Sequence, residues 1–289
     1  MTTLANAPIL AEQRTKAPIG RLLRAELRFM IRRPRTLVAL ALLALTPIVA
    51  GIGISVASST AANNPDRSIE GLAAIVDGNG MILPVFVLLL ALAMLLPLMG
   101  AMWSADAIAG ESASGGLRGL LLAPVSRTRL LAVKAFGVAV LSLLAVIVIA
   151  VVGILAGVTI LGGGDMLTMS GNVLPFGSAL GRIALLVVLV TVQVWAVAAV
   201  ALAISASTDH PLVVLATTLG GIIMFTVLGR ISSLDWLHPV LLTQGWEGLG
   251  DVVRDPMPTD GMTESVLRAA CYIVIGYSLA LARMVTRDG

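Results

Sequence analysis

Residues Ala135–Ile160 read AFGVAVLSLLAVIVIAVVGILAGVTI, with no Asp, Glu, Lys, Arg or Pro among them. A helix needs about 20 mostly apolar residues to cross the hydrocarbon core of a bilayer. This stretch is longer than that, and it is apolar on every face. A helix of that kind lies either at the centre of a large protein or in a membrane. The rest of the chain decides between the two.

Working outward, five more runs have the same character: Leu37–Ala57, Met81–Trp103, Ile183–Ala206, Leu212–Gly229 and Ala269–Ala282. The last is short and is expected to begin a few residues earlier. None of the six contains an ionisable Asp, Glu, Lys or Arg. The whole chain is 58% apolar and 12% charged, whereas a soluble domain carries about 25% charged residues. A soluble fold could not cover so much apolar surface. Strand-like alternation is absent, which excludes a β-barrel. The expected fold is all-α and polytopic, with about six transmembrane helices. Pro47, Pro84 and Pro97 fall inside spans, where neighbouring helices can re-satisfy the freed carbonyls.

Lys and Arg set the orientation. Arg14, Lys16, Arg21, Arg24, Arg28, Arg32, Arg33 and Arg35 precede the first span. Arg118, Arg127, Arg129 and Lys134 follow the second, and Arg283 and Arg287 follow the sixth. Six spans put all three segments on one side, read as the cytoplasm, with both termini there and the chain in the cell membrane. The opposite loops are poor in Lys and Arg, and the longest is rich in acids, although Arg182, Arg230 and Arg268 at outer span ends run against the trend. The expected organisation is a cytoplasmic N-terminus over 1–36, a six-helix domain over 37–285 and a short tail over 286–289. The inner loop is 104–134 and the outer loop 230–266. The first span has a basic flank like a signal peptide, but its apolar core is longer than a signal's 7–15 residues, so it is read as retained. Cys271 is the only cysteine, which excludes an intramolecular disulfide, and it reads as a packed apolar residue.

Two extramembrane segments stand out. Over Pro18–Arg33, Arg21, Arg24, Arg28 and Arg32 fall on one face at 100° per residue, and Ile19, Leu22, Leu23, Leu27, Phe29 and Met30 on the other. This predicts a basic amphipathic helix lying on the cytoplasmic leaflet, ended by Pro34; the plainer alternative is that the arginines only enforce topology. Glu26 projects from the apolar side and needs a cation, Arg33 being near, or a helix N-terminus. The inner loop Ser104–Lys134 reads SADAIAGESASGGLRGLLLAPVSRTRLLAVK. Its short apolar run Leu117–Leu122, between Gly115–Gly116 and Pro124, needs lipid, the rest of the chain or a soluble partner to bury against.

That loop resembles the permease subunits of type-2 ABC transporters. The matching residues are Glu111, Ser114–Gly115, Leu117–Arg118, Leu120–Leu122, Pro124, Arg127 and Lys134. Gly116 stands where the family often has Thr. Glu26–Pro34 (ELRFMIRRP) is similar to the family's N-terminal elbow helix. The resemblance implies an exporter whose ATP and Mg are bound by a separate cytoplasmic ATPase subunit. It implies that Glu111, Arg118, Leu120, Leu121, Leu122, Pro124 and Arg127 belong to a coupling helix that docks on that subunit. It further implies a second permease chain, identical or paralogous, with the path between the two.

The residues themselves agree with a chain that lacks a nucleotide site. A P-loop needs Gly-Lys-Ser/Thr, and the two lysines follow Thr15 and Val133. No cofactor or metal site is expected; Asp209-His210-Pro211 reads as a tight turn. Nucleic acid is not an expected partner, since no basic face interleaves with aromatics. A secondary transporter or channel would place ionisable groups within the membrane. The polar residues there are neutral: Thr46, Ser142, Thr191, Gln193, Thr217, Thr218, Tyr272 and Tyr277. They are read mostly as interhelical hydrogen bonds, with a path lined by Gln193 as the alternative. An intramembrane serine protease would need a His at membrane depth, and His210 and His238 both lie in loops. In the outer loop, Leu234–Val253 holds Trp236, His238 and Trp246 and reads as a partly re-entrant or interfacial helix. By the resemblance it caps the path; otherwise it is an aromatic anchor. Gly51, Gly53, Gly220 and Gly221 would permit close helix contact. A charge-free interior points to an apolar or amphipathic cargo.

The topology is testable in a Cys271→Ser background. Single cysteines at Ser68 and Gly261 should react with an impermeant thiol reagent applied from outside, and one at Ser112 should not. Equal labelling at Ser112 and Ser68 would refute the orientation.

Overall fold

The computed structural model describes residues 18–63, 79–113 and 126–286. It is built almost wholly from helices: α1 (Ile19–Ile31), α2 (Pro34–Asn63), α3 (Leu83–Ala93), α4 (Leu95–Ala107), α5 (Ala109–Ala113), α6 (Arg127–Ala156), α7 (Phe176–Ser205), α8 (Pro211–Leu228) and α9 (Asp260–Thr286). A two-stranded hairpin, β1 (Met166–Leu167) with β2 (Val173–Leu174), joins α6 to α7.

Five helical stretches are each long and apolar enough to cross a membrane: Pro34–Ser59, Arg127–Leu161, Phe176–Ser205, Pro211–Leu228 and Asp260–Thr286. The sixth expected span is not one helix. It is the pair Gly80–Ala93 and Leu95–Ala113, bent by 53°. Pro97 causes the break: it has no N–H for the Ala93 carbonyl, and its ring crowds that carbonyl. Met94 absorbs the turn at φ −151° and ψ −46°. The pair still crosses. At its start the Gly80 N–H donates to the Gly162 carbonyl at 2.9 Å, at the C-terminal end of the α6 span. At its far end Glu111 meets Lys134, near the start of α6.

Hydropathy located the apolar centres of the helices and missed their ends. The third span begins at Arg127 rather than Ala135, so the last part of the expected inner loop is helical. The sixth begins at Asp260, inside the expected outer loop. Both helices continue past the hydrocarbon into charged residues, which suit their aqueous ends. Pro34 does not terminate the amphipathic helix, which stops at Ile31; it opens α2, where a missing N–H costs nothing.

The spans pack through glycine. A Cβ on Gly157 would run into the Gly80 carbonyl, and one on Gly153 would lie 2.9 Å from the Pro84 Cα. These glycines press α6 against the start of the bent span. Gly276 does the same for α9 on α7, where a Cβ would sit 2.6 Å from the Ala199 carbonyl carbon. Of the glycines singled out from the sequence, Gly51 is also tight, since a Cβ there would lie 3.2 Å from Leu83 Cδ2, whereas Gly53, Gly220 and Gly221 face open space.

Most intramembrane hydroxyls serve their own helix, contrary to the interhelical reading. Thr46 donates to the Leu43 carbonyl, Ser142 to Val138, Thr191 to Val187 and Thr218 to Val214. Donation to a carbonyl one turn back satisfies the hydroxyl without any neighbour. Gln193 does cross between helices, its Nε2 donating to Ser265 Oγ at 2.8 Å and to the Ser265 carbonyl at 3.2 Å. The Tyr272 hydroxyl reaches the Val240 carbonyl at 2.8 Å. Thr217 is exposed, as is Cys271, which is therefore not a packed core residue.

The end away from the arginines is closed by irregular chain. Leu234–Val253 is not one interfacial helix but part of two 3-10 segments, Ser232–Leu237 and Leu242–Val253. The second lies across α9 and α7 and buries Leu242, Leu249, Val252 and Val253. Trp236 stays 74% exposed, and Trp246 is half-buried. Asn79 grips the hairpin through both amide atoms, at 2.9 and 3.1 Å from the Leu167 backbone. Arg182 donates to the Val252 and Arg254 carbonyls and to Asp255 Oδ1. Arg268 donates to the Leu241 carbonyl and pairs with Glu264. Two arginines that run against the charge trend are thus neutralised or spent on carbonyls. The Asn172 amide, then Arg182, hold Asp255 below the ordinary carboxylate range. A depressed pKa adds stability that is present above the unfolded value, near 4, and is lost only as pH falls through the folded one.

Gly157→Ala should lower the stability of the solubilised protein by about 2 kcal/mol, as an overpacked contact does. Gly220→Ala, in open space, should be neutral or stabilising because Ala is the better helix former. Paired thermal unfolding curves check this contrast.

Candidate functional site: a charged junction at the basic end

At the arginine-rich end, three elements meet on one buried lysine. Lys134 lies in the second turn of α6, and its side chain is 5% exposed. Residues Leu130, Leu131 and Val133 around it are apolar, so the ammonium has no water to retreat to. It donates instead to Glu26 Oε1 and Oε2 of α1, at 2.9 and 3.1 Å. It also bonds Glu111 Oε1 of α5. Arg33, just before α2, lies 3.7 Å from the same Glu111 oxygen. Two carboxylates and two cations make the cluster neutral.

The backbone prepares this meeting. Gly137, one turn beyond Lys134, lets α1 lie close, since a Cβ there would stand 2.6 Å from Met30 Sδ and 3.3 Å from Glu26 Cγ. Met30 is buried by the contact, while Arg21, Arg24, Arg28 and Arg32 stay exposed on the far side. Arg32 caps the C-terminal end of α1 rather than extending it. Arg33 stacks on the Phe29 ring at 4.3 Å, which holds the link between α1 and α2. Arg35 pairs with Asp106 at 3.1 Å. On the other flank, the Ala109 N–H donates to Ser205 Oγ at 3.0 Å, and Ser112 bonds Asp209. The stem from which residues 114–125 depart is therefore tied to α1, α6 and α7 together.

The structure thus joins Glu26 and Glu111, but through Lys134. Glu26 does not take Arg33, the partner its position suggested. Arg118, Leu120, Leu121, Leu122 and Pro124 lie outside the described residues. The Arg127 guanidinium donates to the Met284 and Val285 carbonyls at 3.0 and 3.1 Å, capping the end of α9. Thr217 and Thr218 line one small pocket with Tyr272, Gln193 bonds Ser265 and Thr191 bonds its own helix, and Trp236, His238 and Trp246 sit at the opposite end. Sequence reading passed over Lys134 as a topology-setting flank. Its run of apolar neighbours was the signal that it lies inside the helix and needs an acid.

Residues 21–263 match a family model described as "ABC-2 family transporter protein". No curated protein matches the chain.

Removing one partner from a buried ion pair costs about 3–5 kcal/mol, while removing the whole set costs far less. Lys134→Met should therefore destabilise the purified protein by about 3 kcal/mol. Adding Glu26→Gln and Glu111→Gln to it should restore most of that loss. Unfolding curves for the single and triple variants measure both, and an equal loss in the two would show that the charges are solvated.

Proposed function

This chain belongs to the ABC-2 transporter family, and we propose that it is the permease subunit of an ATP-driven exporter. In this reading the ATPase is a separate cytoplasmic subunit that binds ATP and Mg and docks at the basic end. Two permease chains, identical or paralogous, enclose the path, and both termini are cytoplasmic. The cargo is apolar or amphipathic, and the chain itself hydrolyses nothing.

The observation that carries the reading is the Lys134 junction. An ATPase that moves the inner loop must pass that motion to the membrane helices. Glu111 stands at the stem of the loop, Glu26 on the surface helix and Lys134 on a span, all within one buried cluster. A pull on the stem is thereby a pull on α1 and α6. The amphipathic α1, with exposed arginines facing the cytoplasmic headgroups, suits a lever lying along the membrane. The rival reading as an ion-coupled carrier gains no support from the spans. Their hydroxyls bond their own carbonyls, and the cations and acids gather at the two ends.

Docking is assigned to Leu120, Leu121 and Leu122, with Arg118 and Arg127. Burying one leucine side chain contributes roughly 1.5–3 kcal/mol, so single changes should matter. Leu121→Asp should leave expression and membrane insertion intact while abolishing recovery of the ATPase with the permease. If Leu120→Asp and Leu121→Asp both retain the ATPase at normal stoichiometry, this loop is not the docking site. In that case the leucines lie along the membrane surface.

A further inference from the structure

Helix α9 packs on α7, and the two border an open apolar groove of about 880 Å³, floored by Val200 and Ile204 of α7 and walled by Cys271, Ile275 and Leu279 of α9. It runs along α9 from Arg283 to Glu264. At 1.5 Å per residue that is about 28 Å, close to the hydrocarbon thickness of a bilayer.

At the end away from the basic junction, the groove changes character. Pro239, Glu264 and Arg268 line both it and a second, polar pocket of about 290 Å³. Asp235, His238, Gln244 and Ser265 complete the polar lining. The Arg268 side chain is 10% exposed. His238 Nε2 is buried without a hydrogen-bond partner, its nearest carboxylate being Asp235 at 3.7 Å. A crevice that is apolar for most of its length and polar at one mouth fits an amphipath lying along the membrane normal.

The charges at the mouth select the headgroup. Two carboxylates, Asp235 and Glu264, stand against one guanidinium, Arg268, so a net-anionic headgroup is disfavoured. Arg268 and His238 offer donors to a phosphate, and the two carboxylates offer acceptors to an ammonium. A quaternary ammonium would call for a cage of Trp, Tyr or Phe rings, and none of these lines the polar pocket.

We propose that this crevice binds a glycerophospholipid with a phosphoethanolamine headgroup, its primary ammonium at Asp235 and Glu264, its phosphate at Arg268 and its tails in the groove along α9. The proposal names a ligand class for the amphipathic-cargo reading and rests on that reading only for its place in transport. On the predicted topology the headgroup lies at the outer leaflet.

The test uses the full-length permease in nanodiscs, without ATPase or ATP, so failure of binding is distinguishable from failure of coupling. The probe is phosphatidylethanolamine with a photoactivatable diazirine on one tail. Labelling should concentrate on α9 around Cys271, Ile275 and Leu279 over the exposed face of α2 at Leu42, Val49 and Val56. Excess unlabelled phosphatidylethanolamine should displace it, and phosphatidylcholine and phosphatidylglycerol should not. Glu264→Gln, on an exposed side chain, should weaken the competitor by roughly tenfold, the equivalent of one charged hydrogen bond. Cys271→Trp should obstruct the middle of the groove and reduce the α9 labelling. Even labelling of α2 and α9 would mean annular lipid only and overturn the proposal. Equal competition by phosphatidylglycerol would overturn the headgroup assignment and with it the proposal. So would an unlabelled groove in which a bifunctional maleimide joins Cys271 of two copies, because a second chain would then occupy it.

Discussion

An ammonium group withdrawn from water must be met by carboxylates, and here those carboxylates come from other parts of the chain. Lys134 sits where a membrane helix begins, too deep among apolar neighbours to be hydrated. Its two acids are 108 and 23 residues away in sequence. Satisfying this one charge forces α1 onto α6 and fixes the stem of the inner loop beside both. Glycine at position 137 makes the approach sterically open, and the lysine makes it obligatory. An apolar residue of similar volume would pack as well but would place no demand on where Glu26 and Glu111 go. A buried ion cluster of this kind contributes little net stability and much positional definition.

The two ends of the bundle solve the same problem with different chemistry. In the hydrocarbon every backbone group must be paired inside the protein, so irregular chain is confined to the ends. At the basic end, side-chain charges do the joining. At the opposite end, backbone carbonyls do most of it, gathered by Arg182, Arg268 and Asn79. The helices between are held by close glycine contacts, which suits a setting where apolar burial alone cannot drive helices together.

The helical, polytopic fold was legible in the sequence because hydropathy reports directly on the surrounding solvent. The bend at Met94 was half legible: Pro97 was visible, but its effect on the carbonyl four residues earlier depends on which neighbours can compensate. Helix ends were misplaced at Arg127 and Asp260, since a charged residue at an aqueous helix end looks like a loop to any measure of apolarity. At the junction, the need of Glu26 for a cation was legible and the identity of that cation was not. Arg33 was near in sequence, whereas Lys134 is near only once α1 has turned back along α6. The outer cap misled for a related reason. Its apolar residues suggested one interfacial helix, but Leu242, Leu249, Val252 and Val253 face the bundle while Trp236 and Val240 stay exposed, and the chain runs as two 3-10 segments.

The central claim is that Lys134 fastens the surface helix and the loop stem to the third span as one unit. Hydrogen–deuterium exchange on the full-length protein, wild type against Lys134→Met, reads this most directly. The account predicts faster exchange in Ile19–Ile31 and Ala109–Ala113 together, with the hairpin and the 3-10 cap at the other end unchanged. Exchange in Ile19–Ile31 that stays at the wild-type rate, or that rises without Ala109–Ala113, would contradict it.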